Sequence, residues 1–432
     1  IILDRVQTKD ETQLKYQEIH RDIFVTTTVN HIAVKELDTG REITYLSLYE
    51  EAKIRSRNID DTPYGIICLP DGIDCVIEFL AYAFAQKPFL SRPQARSKYQ
   101  TSLQDKFLKE NFHPIPDGYQ IRMSSGTTDK AKFFFVAQSA IVSQIQIIGK
   151  LFKMTPSDVV FCPMHMTNGI GDTTLIMTLL FGATLYCNNN LQRNKKIENY
   201  ILDISQHQPS IVIATPIILS AISEIDNIKL SPRIWYTTGA PSNYEHALKI
   251  EDKISGVVLN RYGQREMFVT QMCSVDDTQD KRLSTVGKVD MDKLRVGENG
   301  EILISRDVLH NFMSTKFDGD WYDTGDLGRI DEDGYLVITG RTKLLISLGG
   351  PLGGRDINPI EVESLCSGKS CLIGIGGALC LCVEDNTDPR NYIRETLSIG
   401  IKYLWQGEIP ELSSGKIDRI KMRDIIRQKI NE

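Results

Sequence analysis

The stretch from Trp321 to Lys343, WYDTGDLGRIDEDGYLVITGRTK, decides how this chain is to be read. By spacing it gives an acidic turn, a short strand, a DEDG turn, an apolar strand and then Gly340-Arg341. Asp333-Gly334 is the dipeptide that most readily supplies the positive φ of a tight hairpin. Asp323 and Asp326 stand just before the first strand, where a carboxylate can accept two hydrogen bonds from a ribose diol. Taken alone, the segment reads equally well as a solvated acidic hairpin. Its company elsewhere in the chain decides between the two.

A length of 432 residues with 41% hydrophobic content suggests two or three domains of an ordinary soluble protein. A formal charge of −6 and a pI near 5.8 argue against a nucleic-acid footprint or a polybasic membrane anchor. The apolar run Leu175 to Cys187 falls short of the roughly 20 residues a membrane span needs. It reads instead as a core helix leading into a strand. No signal-peptide pattern opens the sequence, and the nine cysteines are odd in number and scattered through strand-like segments. Reduced thiols in a cytoplasmic protein are therefore expected. Cys366, Cys371, Cys380 and Cys382 cluster in sequence, but their spacing matches no paired zinc pattern.

Segments rich in Ile, Val and Leu alternate with helix-length amphipathic segments, the mark of α/β architecture. Helices are expected over Ile43 to Asn58, after a Thr44 cap, and over Asp74 to Gln86. Strands are expected at Tyr64 to Leu69, Tyr119 to Met123, Asp158 to Pro163, Thr184 to Cys187, Ser210 to Ala214, Arg233 to Thr237 and Gly256 to Asn260. Ile302 to Ser305 and Leu336 to Thr339 lack long intervening helices, which suggests a smaller β-rich portion near residues 280 to 340. Gly349 to Gly354 reads as a flexible loop.

Four further segments carry candidate chemistry. Ser124-Ser125-Gly126-Thr127-Thr128-Asp129-Lys130-Ala131-Lys132 offers backbone amides, hydroxyls and a lysine to a polyphosphate, although it lacks the spacing of a Walker loop. Tyr236-Thr237-Thr238-Gly239-Ala240-Pro241 and Asn260-Arg261-Tyr262-Gly263-Gln264-Arg265-Glu266 each follow a strand, where open α/β sheets place ligands. There a Gly-Ala turn admits a flat base, Tyr262 can stack on it, and Glu266 can hold a hard cation such as Mg²⁺. Ile409 to Arg419 contains Ser414-Gly415-Lys416 on a loop. Singly, each has a plain turn or packing reading at least as good.

Together and in this order, the segments resemble the acyl-adenylate-forming superfamily of acyl- and aryl-CoA synthetases, nonribosomal-peptide adenylation domains and luciferases. SSGTTDKAK is similar to the family's phosphate loop, TTGAP to its adenine-flanking turn and NRYGQRE to its Y-G-x-T-E segment. YDTGDLGRIDEDGYLVITGR resembles the T-G-D and G-R segments almost residue for residue. INPIEVE, from Ile357 to Glu363, and SSGKIDR resemble the opening and the terminal lysine motif of the C-terminal domain.

The resemblance implies a large N-terminal domain of αβ-layered sheets with a small β-rich portion, residues 1–342. A small mobile α+β C-terminal domain, residues 343–432, would follow, with a hinge at Lys343. It implies ATP-dependent formation of acyl-AMP with pyrophosphate release, then transfer to a thiol of CoA or a carrier-protein phosphopantetheine. Ser124, Ser125, Gly126, Thr127, Thr128 and Lys132 would meet the phosphates, and Glu266 would bind Mg²⁺. Gly239, Ala240, Pro241, Tyr262 and Gly263 would surround the adenine, Asp326 and Arg341 the ribose. Lys416 would bridge the carboxylate and the α-phosphate.

Asp129, Ala131 and Arg265 depart from the family's usual residues, and the glycine-rich segment before Ile357 is longer than typical. Phe161 to Gly169 resembles the family's P-x-F-H-x-x-G, with His165 in the aromatic position and Met166 in that of the histidine. His165, Met166 and Asn168 would then line the acyl pocket; a satisfied core histidine is the plainer reading of His165. No F-D-x-S segment is present, which tilts the substrate away from α-amino acids and towards another small carboxylic acid. A carrier protein would act in trans. The alternatives are delivery of the adenylate to a non-thiol acceptor, or a non-catalytic nucleotide-binding relative.

Overall fold

The computed structural model describes residues 30–62, 64–91, 119–123, 133–166, 169–188, 197–226, 228–239, 243–264, 267, 271–308, 311–312, 319–348, 355–375, 378–411 and 417–431. Two compact units emerge, Ile1–Lys288 with Ser305–Asp320, and Val289–Ile304 with Trp321–Glu432. The second gathers both the small β-rich portion and the C-terminal part. Lys343, where a hinge is expected, lies inside this second unit.

The first unit is built on an eight-stranded sheet. Its order is Gln271–Met272, Val257–Tyr262, Ile234–Thr238, Ile211–Ala214, Val159–Phe161, Thr184–Cys187, Ile32–Glu36 and Glu42–Thr44. All neighbours run parallel except the two edge strands, as alternation of strands with helices predicts. Ile211–Ala214 and Ile234–Thr238 are buried at every position, the pattern of strands covered on both faces. Trp235, Val212 and Val258 pack with Ile204, Leu219, Ala247 and Ile250 from the helices that connect them. The helices start where their caps allow. Thr44 accepts from Ser47 N ahead of Tyr45–Ser56, and Asn243 accepts from His246 N ahead of Tyr244–Lys253. A second sheet orders Asn311–Phe312, Phe133–Ala137, Tyr119–Met123, Phe89–Ser91 and Gly65–Ile67.

Leu175 to Cys187 resolves into the helix Gly169–Leu180 and the strand Thr184–Cys187, the helix-into-strand arrangement its composition suggests. No helix among the described residues is long and apolar enough to cross a membrane.

In the second unit, Leu294–Val296, Glu301–Ser305, Trp321–Ile330 and Leu336–Arg341 form a four-stranded sheet. The DEDG turn differs from the expected two-residue hairpin. Gly334 takes φ +83° while Asp333 keeps a negative φ, so residues 331–335 form a wider loop. The Asp331 carboxylate closes it by accepting from Asp333 N at 3.1 Å and Tyr335 N at 2.8 Å. A local side-chain acceptor thus replaces the second left-handed residue. Further along, Ser370–Ile375, Ala378–Val383 and Tyr403–Gln406 form a three-stranded sheet with the helices Pro359–Glu363, Arg390–Leu397 and Arg419–Asn431.

One side chain ties together the amino ends of three adjacent parallel strands. Buried Asp158 accepts from Arg233 Nε at 2.8 Å, Arg233 Nη2 at 2.7 Å, Ser210 Oγ at 2.7 Å and Thr155 N at 2.8 Å. Burial opposes its ionisation, but the hydrogen bonds from Arg233 and Ser210 outweigh burial and hold the carboxyl below its ordinary range. A carboxyl with a depressed folded pKa contributes fully above its unfolded value of about 3.9 and loses that contribution as pH falls through the folded one. Asp158→Asn should therefore cost about 3 kcal/mol at neutral pH, with the gap to the parent narrowing below about pH 4. Urea unfolding of both proteins across that range reads the gap; one that stays constant into acid would overturn the assignment.

Candidate functional site

In the first unit the two ligand-type turns lie side by side. Ile234–Thr238 and Val257–Tyr262 pair in parallel, with Thr237 opposite Asn260 and Thr238 opposite Arg261. Both candidate turns therefore leave the carboxyl edge of the same sheet from neighbouring strands, as the open α/β rule requires. Gly239 ends the first at φ +95°, a backbone state that L side chains rarely adopt. Asn260 holds the second strand by donating to the carbonyls of Arg282 and Leu283, both at 3.3 Å. Tyr262 is half-buried and Gly263 exposed at the strand's end. Burial pushes the Tyr236 phenol up, while the neighbouring Arg261 guanidinium pulls it the other way. Beside them lies a cavity of about 10 Å³, lined in part by Ile170, Thr173, Met177, Tyr236 and Arg261. That is the room of about one water and too small for an acyl chain.

The segment that resembles the acyl motif reaches this edge as well. A Cβ on Gly239 would lie 3.6 Å from Ile170 Cδ1, so the first turn of the helix Gly169–Leu180 abuts the Gly239 turn. A Cβ on Gly171 would stand 1.9 Å from the carbonyl oxygen of His165, so only glycine lets the helix start this close. Met166 is buried, whereas the His165 side chain keeps 31% of its surface. Nδ1 of His165 stands 3.1 Å from Oδ2 of buried Asp71, whose other oxygen accepts from Met166 N at 2.9 Å.

The same helix reaches the strand that leads into the phosphate-type loop. Buried Asp172 accepts from Gln120 Nε2 and from Arg122 Nη2, each at 2.9 Å. Gln120 and Arg122 belong to Tyr119–Met123, which pairs antiparallel with Phe133–Ala137, Met123 opposite Phe133. Residues 124–132 join those two strands.

In the second unit Asp326 and Arg341 stand opposite each other across paired strands, with Arg341 Nε 2.5 Å from Asp326 Oδ1. Asp326 is buried and Arg341 half-exposed. The TGD turn is held from within. Asp323 accepts from Gly325 N at 2.8 Å, and Thr324 donates to Ile302 O while accepting from Asp326 N. Gly325 takes φ +70°. Lys343 follows in an exposed 3-10 turn, Thr342–Leu344. The loop that carries the terminal lysine motif has an anchored stem. Glu411 and Ile417 pair across it, and Asp418 N donates to Pro410 O at 2.8 Å. Lys369 binds Glu411 at 2.7 Å and Glu384 at 2.9 Å, and Arg419 binds Glu363 at 2.6 Å. Burial opposes the charge on Arg419, yet the Glu363 carboxylate raises its pKa further.

Ser124, Ser125, Gly126, Thr127, Thr128, Lys132, Asn168, Ala240, Pro241, Glu266 and Lys416 lie outside the described residues. Sequence reasoning did not find Asp71, the Gln120–Arg122–Asp172 group or the Glu363–Arg419 pair. Each joins residues far apart in the chain, and the one local sign was Asp71-Gly72 at the start of a helix.

The sequence profile of the AMP-binding enzyme family matches residues 90–310. The chain belongs to that family, whose members include the acyl-adenylate-forming ligases. Over 281 residues, 60% of this chain, it is 27% identical to the Rhodococcus jostii 3-[(3aS,4S,7aS)-7a-methyl-1,5-dioxo-octahydro-1H-inden-4-yl]propanoyl:CoA ligase. Over 299 residues, again 60% of this chain, it is 24% identical to the 2-succinylbenzoate–CoA ligase of Bacillus pumilus. The matched stretches span 53% and 59% of those relatives. The chain thus spans about half the length of the curated relatives it matches. In fold it is similar to ATP-bound MatB from Rhodopseudomonas palustris, with a TM-score of 0.77 at 16% identity over 94% of this chain and 98% of that one. It is also similar to the Bacillus subtilis o-succinylbenzoate CoA synthetase MenE, with a TM-score of 0.75 at 18% identity over 94% and 98%.

Gly171 makes a stability test of this edge. Gly171→Ala would drive a methyl into the His165 carbonyl, a backbone group that cannot swing aside. A loss of about 1–3 kcal/mol is expected in urea unfolding. A variant as stable as the parent would show that the helix start has slack.

Proposed function

We propose that the chain activates a small carboxylic acid with ATP and then passes the acyl group to a thiol, on CoA or on a carrier-protein phosphopantetheine in trans. In the first step a carboxylate oxygen attacks the α-phosphorus and the bond to pyrophosphate breaks. In the second a thiolate attacks the acyl carbon and AMP leaves. The observation that carries the reading is buried Asp326 held against Arg341, in a chain of the AMP-binding family. A carboxylate fixed by its guanidinium neighbour is an oriented acceptor for a ribose diol, and little ordering remains to be done on binding. The CoA-ligase relatives and the ATP-bound relative support the same reading.

In this reading Lys132 and the hydroxyls of residues 124–128 neutralise and position the phosphates. Gly239, Ala240, Pro241, Tyr262 and Gly263 surround the adenine. Glu266 would hold Mg²⁺, for which a carboxylate is a fitting hard-oxygen donor. When bound, the ion screens phosphate charge; orientation of the reactants falls to the chain's own groups. His165, Met166 and Asn168 line the acyl side. Lys416 stabilises charge developing between carboxylate and α-phosphate, and Lys343 is the pivot of a mobile C-terminal domain, residues 343–432. No disulfide joins the nine cysteines, which suits a reducing cytoplasmic setting.

Pyrophosphate release across aryl, short-chain and long-chain acids, followed by addition of CoA, tests the whole reading. Lys416→Ala should lower adenylation by about 10²–10³-fold, the usual loss for one oriented donor to developing charge. Near-normal carboxylate-dependent pyrophosphate exchange in that variant would refute its role. Lys343→Pro should leave adenylation intact and slow thioester formation; equal loss of both would count against a hinge there.

A further inference from the structure

Asp71 is a buried carboxylate that the proposed chemistry does not use. It is 2% exposed and stands just before the helix Ile73–Phe84. Oδ1 is satisfied by the amide of Met166. Oδ2 is also buried and receives no aligned hydrogen bond among the described residues. The side chain recorded within ion-pair distance of it is His165, with Nδ1 at 3.1 Å. A buried carboxylate oxygen without a donor is costly, and a small rotation of the imidazole aligns an N–H on it. The demand of Oδ2 therefore selects the tautomer with the proton on Nδ1. Nε2, at the far side of a ring with 31% of its surface open, then carries a lone pair.

The ring is half-buried, with Nδ1 turned to a buried carboxylate. Its backbone is wedged against Gly171, and through Ile170 this segment adjoins the turn at Gly239. Asp71 also binds the amide of the next residue, so carboxylate, ring and backbone form one rigid group. We infer that Asp71 is a positioning residue that fixes His165 with Nε2 as a hydrogen-bond acceptor facing the acyl side. The acid activated is then one that carries a hydroxyl or amine donor, in preference to a plain hydrocarbon acid. This rests on the proposed function for the identity of the ligand and for the place of His165 on the acyl side. A site built to bond a donor rejects the analogue that lacks it, because the site's own polar group is left unpaired.

Asp71→Asn provides a sharp test. The amide keeps one oxygen for Met166 N but can present N–H to Nδ1, which moves the ring proton to Nε2 and turns that atom into a donor. ¹⁵N NMR of the full chain should show His165 as the neutral Nδ1–H tautomer, and as Nε2–H in Asp71→Asn. A parent ring with its proton on Nε2, or on both nitrogens, would overturn the inference whatever the activity. Pyrophosphate release with benzoate and its monohydroxy and monomethoxy isomers, and with hexanoate and its monohydroxy isomers, reads specificity. At least one hydroxy acid should exceed its methoxy or unsubstituted counterpart tenfold or more in kcat/KM. His165→Phe should bring that ratio within about threefold of unity, and Asp71→Asn should reverse the hydroxy-to-methoxy order. Turnover with the same ratio in parent and both variants would sink the specificity role. No pyrophosphate with any acid would instead sink the adenylation reading, and the NMR result would still decide the tautomer.

Discussion

The Asp158 clamp is the constraint on which the first unit's geometry depends. Parallel strands have no hairpin to set their register, so neighbours far apart in sequence must be aligned by other means. Asp158 does this by binding Ser210, at the head of the strand beside its own, and Arg233, at the head of the strand beyond that one. With the amino ends level, strands of similar length also finish level. Val257 N donates to Arg233 O and carries the alignment to the next strand, so Gly239 and Tyr262 emerge next to each other although the helix Tyr244–Lys253 separates them in the chain. The charge that sets the register sits at the end of the sheet away from the ligand-type turns.

Buried aspartates recur in this unit with different partners. Asp158 is answered by a guanidinium and a hydroxyl, Asp172 by a guanidinium and an amide, and Asp71 by a backbone amide and an imidazole. Such groups are poor sources of net stability, because desolvation cancels much of the attraction. Their value is in exact placement of what they hold. Asp172 fixes the strand entering the phosphate-type loop to the helix that follows the acyl segment. The two segments thereby share a single support.

Much of the fold was legible in the chain. Strands such as Ile211–Ala214 are continuous apolar runs bounded by breakers, and Thr44 marked a helix start through local chemistry alone. The order of the ligand-type segments was likewise readable, since each is short and contiguous. Other features were hidden for physical reasons. The two-residue hairpin expected at Asp333-Gly334 became a wider loop, because Asp331, two residues upstream, supplied the closing acceptor. The strand Ser370–Ile375 carries glycine and cysteine where alternation would be sought, and its first four residues are all buried. Asp71 and His165 lie on separate elements, and nothing in either local sequence announces the other.

One contact in the second unit bears on movement. Asn358 Nδ2 donates to the carbonyl of Thr339 at 2.5 Å, and the Asn358 amide packs where a Cβ on Gly340 would intrude. Its oxygen meanwhile caps the helix Pro359–Glu363. Thr339 and Gly340 precede Lys343, and Asn358 follows it. In the proposed swing about Lys343 this amide would have to leave its carbonyl, which would make the asparagine a latch across that pivot. The strength of that single bond would then help set how often the swing occurs.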